Sequence, residues 1–407
     1  MINDAEKIYT GAIKASLPEK TVISALRNFE KPLGRLVLVA IGKAAWKMAN
    51  AAYGVLGETI NSGIVITKYE HSEGKIGNLE IYEAAHPVPD ENGIRATERA
   101  LSMTENLTER DTVLFLVSGG GSALFERPCI TLSELSDLTK KLLGSGADIN
   151  EMNAVRKHIS AVKGGRFAEH VAPAKIFAIV LSDVLGNRLD IIASGPSASD
   201  ESTSADVLRI LEKYEISLPA AAIDYINKET PKKIENATHV IGGSVSELCR
   251  EAKKISEELG YKAEILSDEE TGEARELGAR LAKIARENSQ TKIPLAFIVG
   301  GETVVKLRGA GLGGRNQETA LSAAEGIRGL RDVLIFSVGS DGTDGPTDAA
   351  GGYVTGESFD KMLRAGINPK EALDNNDSYN ALGRIGNLIM TGPTGTNVND
   401  VAVLLIK

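Results

Sequence analysis

Short, unbroken apolar runs alternate with longer segments in which apolar residues recur every three to four positions, along almost the whole chain. An unbroken apolar run closed by glycine or a small polar residue marks a strand buried on both faces. Helix-length segments between such runs read as the crossovers of a parallel sheet. The clearest run is GRLVLVAIG (Gly34–Gly42), followed by KAAWKMANAAYGVLG, a segment rich in good helix formers. SGIVITK, NLEIYEA, DTVLFLVSG and AKIFAIVLSD continue the strand series, with ENGIRATERALSMTENL and TLSELSDLTKKLLGSG as helices between them. After Ser199 a helical stretch with few strand signals extends to about Lys233. A second alternating set starts at THVIGGS and continues through a helix to Leu259, YKAEILS, a long helix from Thr271, IPLAFIVGG and DVLIFSVGS. The closing VAVLLIK is compatible with either sheet.

This pattern predicts an α/β protein of two domains with a boundary near Ile234, giving residues 1–233 and 234–407. Nearly every strand in both halves ends in glycine or a small polar residue. Ligands of open α/β sheets sit at the carboxyl ends of strands, so the expected site is a cleft lined by these strand-end loops.

Composition and charge narrow the partners. A chain of 407 residues has room for two or three domains with cores of their own. A net charge of −9 without long Lys/Arg runs argues against nucleic acid, so any anionic substrate must be held by a few placed cations. Cys129 and Cys249 stand far apart without metal-type spacing, as in a reduced cytoplasmic protein lacking structural zinc. MINDAEKIYTGAIKAS reads as an amphipathic helix rather than a signal peptide. No apolar run approaches the roughly 18 residues of a membrane span. The expectation is a soluble, cytoplasmic protein with no membrane partner.

The candidate chemistry lies in the strand-end loops. In LFLVSGGGSALF, Ser118, Gly119, Gly120, Gly121 and Ser122 follow an apolar run. The stretch has neither the lysine of a P-loop nor the dinucleotide glycine spacing. Consecutive bare amides at a strand-to-helix turn nevertheless form an anion-binding concavity. Lys43 follows Gly42 at the end of another buried run and suits a phosphate or carboxylate ligand. VGSDGTDGPTDAAGG carries Asp341, Asp344 and Asp348 just past a strand, a spacing that suits a hard cation such as Mg²⁺. GAGLGGRNQE contains G-x-G-x-x-G at Gly309, Gly311 and Gly314, but a half-charged strand precedes it and no acidic residue follows about 20 positions on. Its useful product is Arg315 at the mouth of a helix, able to grip phosphate or carboxylate bidentately. LSDVLGNRLDIIASGPS offers Asp183 where a strand stops, as metal ligand or base for a substrate hydroxyl, and a compact turn at Ser194-Gly195-Pro196. His158, Lys163 and Arg166 flank a glycine pair, with His158 read as structural. No Ser-His-Asp set has positional support, which argues against a nucleophilic-serine hydrolase. Cations, glycine loops and carboxylates together are what phosphoryl transfer requires.

These segments resemble the glycerate kinases that join an N-terminal Rossmann-like domain to a C-terminal MOFRL domain. The likeness is carried by GKAAWKMA, HPVPDENG, LVSGGGSALF, RKHISAVKGGRFA, LSDVLGNRLDIIASGPS, GGETVVKLRGAGLGGRNQE, GSDGTDGPTDAAG and TGPTGTNVND, in order from about residue 40 to 400. Asn187 and Ser197 depart from the acidic residue and threonine frequent there, which counts against a direct metal role at 187. The resemblance implies a larger three-layer α/β/α domain with a mainly parallel sheet, a smaller α/β domain, and an active site in the cleft between them. It implies ATP- and Mg²⁺-dependent phosphorylation of glycerate, other divalent cations being compatible, with 2-phosphoglycerate the usual product. Lys43, Arg315 and Asp183 are then expected in catalysis. Ser118 to Ser122, Ser194, Gly195, Glu302 and Asn316 are expected to bind substrate or nucleotide, and Asp341 and Asp344 the metal. A homodimer is compatible with this reading. The alternatives are an NAD(P)H-dependent hydroxypyruvate reductase and a non-catalytic anion- or nucleotide-binding protein.

Overall fold

A computed structural model describes residues 1–182 and 188–407 of the chain. The chain forms two units, one of Pro18–Gly242 and one of Met1–Leu17 together with Gly243–Lys407. No helix among the described residues is long and apolar enough to cross a membrane.

The larger unit is built on six strands: β1 (Leu36–Ile41), β2 (Ser62–Lys68), β3 (Glu80–Ala84), β4 (Thr112–Val117), β5 (Lys175–Leu181) and β6 (Ala237–Gly242). They pair in parallel throughout, in the order β3-β2-β1-β4-β5-β6. All six residues of β1 and of β4 are buried, as expected of runs in which only Thr112, at the start of β4, is polar. Alternate residues feed opposite faces. Val37, Val39, Ile41, Val113 and Phe115 pack with Phe167 and Ala96 on one side, while Leu36, Leu38, Leu114 and Leu116 pack with Val22, Trp46 and Met48 on the other. The result is the expected three-layer α/β/α arrangement. Helices Leu132–Gly144, Ile149–His158, Ser204–Lys213 and Ala220–Ile226 bury their stripes in a separate cluster that includes Leu138, Val155, Val207 and Ile226.

The smaller unit holds β7 (Lys262–Glu270), β8 (Leu295–Gly301), β9 (Val333–Gly339), β10 (Gly351–Thr355), β11 (Leu388–Ile389) and β12 (Asp400–Ile406), ordered β11-β10-β9-β12-β8-β7. Only β7 and β8 run parallel; β12 lies antiparallel between β8 and β9, so the final strand closes this sheet.

The division differs from the expected boundary at Ile234 in two respects. THVIGGS does not open the second sheet; it supplies β6, with Ala237 opposite Ile176 on β5. A strand's own pattern does not record which sheet edge it completes. The N-terminal helix Ile2–Ala15 also belongs to the smaller unit, with Tyr9 edge-on to Phe336 of β9 at 5.8 Å. Its stripe of Ile8, Ala12 and Ile13 marks it as amphipathic but does not specify which helix it meets.

Candidate active site

The strand order of the larger unit reverses direction between β1 and β4, and in doubly wound sheets that switch point is where ligands bind. Two expected loops occupy it and are tied to each other. Lys43 N–H donates to the Gly119 carbonyl at 2.9 Å, and Ala44 N–H donates to Ser118 Oγ at 3.1 Å. Ser118 Oγ in turn donates to the Ile41 carbonyl at 3.2 Å. Ser118, expected to meet the ligand, therefore spends its hydroxyl joining the two strand ends. Gly42 has φ +111°, and a Cβ there would lie 2.3 Å from Ser118 Oγ, so the junction needs glycine.

Gly120 takes φ +88° and ψ −6° and starts the short helix Gly121–Leu124. Among the described residues, the amides of Gly119 and Gly120 donate to no protein atom. Lys43 is exposed, and its ammonium has no ion-pair partner among the described residues. A Cβ on Gly120 would lie 3.2 Å from Lys43 Cγ and 3.1 Å from His86 Cδ2. The lysine stem, His86 and the bare amides thus converge. Burial, reinforced by the charge of Lys43, holds the His86 pKa below its ordinary value. His71 Nδ1 sits 3.0 Å from the Lys43 carbonyl. The sequence reading did not single out either histidine, although HPVP at the end of β3 carries the same strand-end signal as the other loops.

Ser122 and Ser194 bring the glycine loop and the Ser194-Gly195 turn together, with their hydroxyl oxygens 3.1 Å apart. Beneath them lies Lys163, fully buried, donating to the carbonyls of Ser122 (2.8 Å) and Phe125 (2.9 Å) and paired with Glu126 at 3.3 Å. Burial pulls its pKa down, opposed by Glu126. Nearby, Lys157 bridges Asp190 and Asp200, and His158 Nε2 faces the Ser202 carbonyl at 3.2 Å, the structural role expected of it. Asp183 lies outside the described residues.

In the smaller unit, Arg315 opens the helix Arg315–Gly326. Its Nε donates to Asp400 Oδ2 at 2.5 Å, Nη2 to Asp400 Oδ1 at 3.2 Å, and Nη1 to Glu302 Oε1 at 2.9 Å. Burial works against its charge, but Asp400 outweighs it and holds the guanidinium above its ordinary pKa. Asp344 accepts from the amides of Asn316 (3.1 Å) and Gln317 (2.8 Å), capping that helix from a distant loop. Burial pushes its pKa up to about 6 against those two bonds. The Asn316 side chain is spent between Asp344 and Ser337. Asp341 Oδ1 accepts from Thr343 N–H at 2.9 Å, and a Cβ on Gly339 would lie 3.4 Å from both it and Asp400 Oδ1. Asp348 accepts from Tyr379 Oη at 2.7 Å. Among the described residues no group of three or more His, Cys, Asp or Glu is arranged to hold a metal ion.

The first two glycines of the G-x-G-x-x-G stretch lie against the Asn375–Asp377 turn. The amides of Arg308 and Gly309 donate to Asn376 Oδ1, Gly311 to the Asn375 carbonyl and Leu312 to Asp377 Oδ1. Amides committed to the Asn375–Asp377 turn are not available to a pyrophosphate.

The domain of unknown function DUF4147 matches residues 4–227, and the MOFRL family matches residues 295–400. The D-glycerate 2-kinase of Thermotoga maritima is 53% identical, over 99% of this chain and 97% of its own. The chain belongs to the glycerate 2-kinase family. Within it, the glycerate 2-kinase of Pyrococcus horikoshii is 39% identical, over 97% of this chain and 95% of its own. The crystal structure of the Thermotoga maritima glycerate kinase matches with a TM-score of 0.95 at 52% identity, covering 100% of this chain and 99% of that one. The DUF4147 match contains the β1 and β4 loops, and the MOFRL match extends from β8 to the Asp400 that holds Arg315. This glycerate 2-kinase family member thus carries one candidate constellation in each matched region.

Proposed function

We propose that this protein transfers the γ-phosphate of ATP to the 2-hydroxyl of D-glycerate. The observation that carries the reading is the pairing of Lys43, without an ion-pair partner among the described residues, with the amides of Gly119 and Gly120, which donate to no described protein atom, at the β1/β4 switch point. A phosphoryl group in transit is mostly a problem of charge and alignment, and these groups supply both without covalent chemistry. The Lys43 ammonium draws off developing negative charge while the loop amides hold phosphoryl oxygens. Ser122 and Ser194 share one hydrogen bond, which leaves one hydroxyl proton to offer a ligand oxygen. Arg315, oriented by Asp400 and Glu302, keeps further N–H donors for a carboxylate or phosphate.

Mg²⁺ fits a site of this kind if it arrives on the ATP phosphates, because it takes one or two carboxylates plus substrate oxygens rather than an all-protein cage. Asp341 is the carboxylate we assign to it. Asp344, proposed with it from sequence, is committed to capping and would act on the metal only by fixing the loop. Bound there, the ion would neutralise charge on the transferred group. Asp183 retains its sequence-based assignment as base for the glycerate hydroxyl. We place the enzyme in the cytoplasm, with glycerate and ATP as its partners and a homodimer as the assembly to test by light scattering.

The test is ADP release by purified protein with ATP, Mg²⁺ and D- or L-glycerate, the product resolved by ³¹P NMR into 2- and 3-phosphates. Glycerate-dependent turnover giving the 2-phosphate is expected. NAD(P)H oxidation with hydroxypyruvate, without ATP turnover, would overturn the reading.

A further inference from the structure

Lys163 and the two glycines after it touch both ligand loops, and the mechanism above leaves them without a role. From one side, the Lys163 ammonium uses its three protons on the carbonyls of Ser122 and Phe125 and on the Glu126 carboxylate. Those two carbonyls belong to the second residue and the C-cap of the four-residue helix that begins on the third glycine, a segment too short to hold its shape alone. From the other side, Gly164 N–H donates to the Ser194 carbonyl at 3.0 Å and Gly165 N–H to the Gly195 carbonyl at 2.7 Å. Ala168 N–H adds a bond to the Pro196 carbonyl at 3.2 Å. The gripped turn is strained: Ala193 and Ser194 stand at φ +51° and +62°, consecutive non-glycine residues in the left-handed region. Such a conformation persists only where its surroundings over-determine it, and it clusters at functional sites. A buried lysine is also costly compared with an apolar side chain of similar volume. The cost is intelligible if the ammonium fixes a position.

We propose that Lys163-Gly164-Gly165 is a clamp that sets the spacing of the two ligand loops, with Lys163 as a positioning residue for the Ser122 and Ser194 hydroxyls. The loop after β4 is referenced to the Lys163 side chain, the 193–196 turn to the next two amides, and the 3.1 Å hydroxyl contact closes the circuit. The inference rests on the reading that these loops hold ligand, but the clamp itself can be tested without activity.

The double variant Lys163→Met/Glu126→Gln removes both charges, so that no lone buried ion remains. In native-state hydrogen exchange of the folded variant, amides of 121–125 and 193–196 should exchange at least ~tenfold faster than in wild type, with β9 unchanged. In steady-state kinetics the KM for one of the two substrates should rise at least ~tenfold while the other stays within ~twofold, a split that a general loss of folded protein does not produce. Glu126→Gln alone leaves both carbonyl bonds in place but strands the buried ammonium, so it should lower the melting temperature while keeping both KM values within ~twofold of wild type. Unchanged exchange in the folded double variant overturns the clamp whatever the kinetics. Faster exchange with both KM values unchanged overturns Lys163 as a positioning residue, and so does a Glu126→Gln variant that reproduces the double variant. A wild-type protein without glycerate-dependent ATP turnover would instead strike the kinase reading and leave the exchange result to decide the clamp. Should the double variant fail to fold, the wild type decides. The amides of Gly164, Gly165 and residues 123–125 must then share one opening rate, and distinct rates overturn the proposal.

Discussion

Replacing Gly120 by alanine probes the glycine loop with one methyl group. Gly120 sits at φ +88°, where an L-residue costs about 1–2 kcal/mol. The new Cβ would meet His86 Cδ2 at 3.1 Å, Lys43 Cγ at 3.2 Å and His86 Nε2 at 3.3 Å, each a few tenths of an ångström too close. Either the loop withdraws or the lysine stem turns away, and in both cases the ammonium and the bare amides no longer reach the same anion. Losing one charge-assisted bond costs about 1.5–3 kcal/mol, roughly a ten- to 150-fold rise in Kd. Ligand-induced thermal stabilisation reads this directly. ATP at about 100 times its Kd stabilises the folded state by about 2.7 kcal/mol, and a hundredfold weaker variant at the same concentration keeps only about 0.4 kcal/mol. Ser122→Ala, which removes one replaceable hydroxyl, should lose only about 0.5–1.5 kcal/mol. A folded Gly120→Ala protein with the wild-type ATP-induced shift and full turnover would reduce the triple glycine to a turn.

Lys43→Ala should lower kcat/KM at least ~100-fold with little change in melting temperature, since a cation lost from a transition state costs about 3 kcal/mol; unaltered kinetics would remove its role. Asp341→Asn should raise the Mg²⁺ concentration for half-maximal rate, because a full charge leaves a hard-cation site; an unchanged metal titration would point to another carboxylate. Asp344 binds its proton more tightly folded than unfolded, its pKa rising from 3.8 to about 6. It therefore favours the folded state as pH falls from about 6 towards 4 and costs up to about 3 kcal/mol above that range. Urea midpoints at pH 5 and 7 should show wild type gaining on Asp344→Asn at the lower pH, and parallel pH dependence would contradict the assigned burial.

The buried strands are readable from sequence where both faces are covered. The run giving β1 leaves no polar position and that giving β4 only Thr112 at its start, and their lengths fit strands rather than helices. β10, by contrast, opens with two glycines and owes its identity to partners on β9 and β11, which no local pattern records. The strand-end placement of the triple glycine and Lys43 could be read because each follows such a run. Lys163 could not: within AVKGGRF a lysine looks like a solvated residue, and only the fold buries it under Ser122 and Phe125. Asp344 shows the opposite case, a long-range contact that its loop does not record. Its spacing with Asp341 suggested a cation loop, whereas its carboxylate is spent on the amides of Asn316 and Gln317, far back along the chain.

The smaller unit is assembled from both ends of the chain, Met1–Leu17 and Gly243–Lys407, with the whole of Pro18–Gly242 between them. During synthesis the helix Ile2–Ala15 leaves the ribosome well before the rest of its unit, with Ile8, Ala12 and Ile13 facing a helix and a sheet that do not yet exist. The larger unit can close its six-stranded sheet as soon as β6 emerges, because every strand it needs is already present. The smaller unit must wait for β12, which pairs with the β9 strand against which Tyr9 packs. Birth order and folding order are therefore inverted between this helix and the larger unit: Ile2–Ala15 is made before Pro18–Gly242 and finds its place after it.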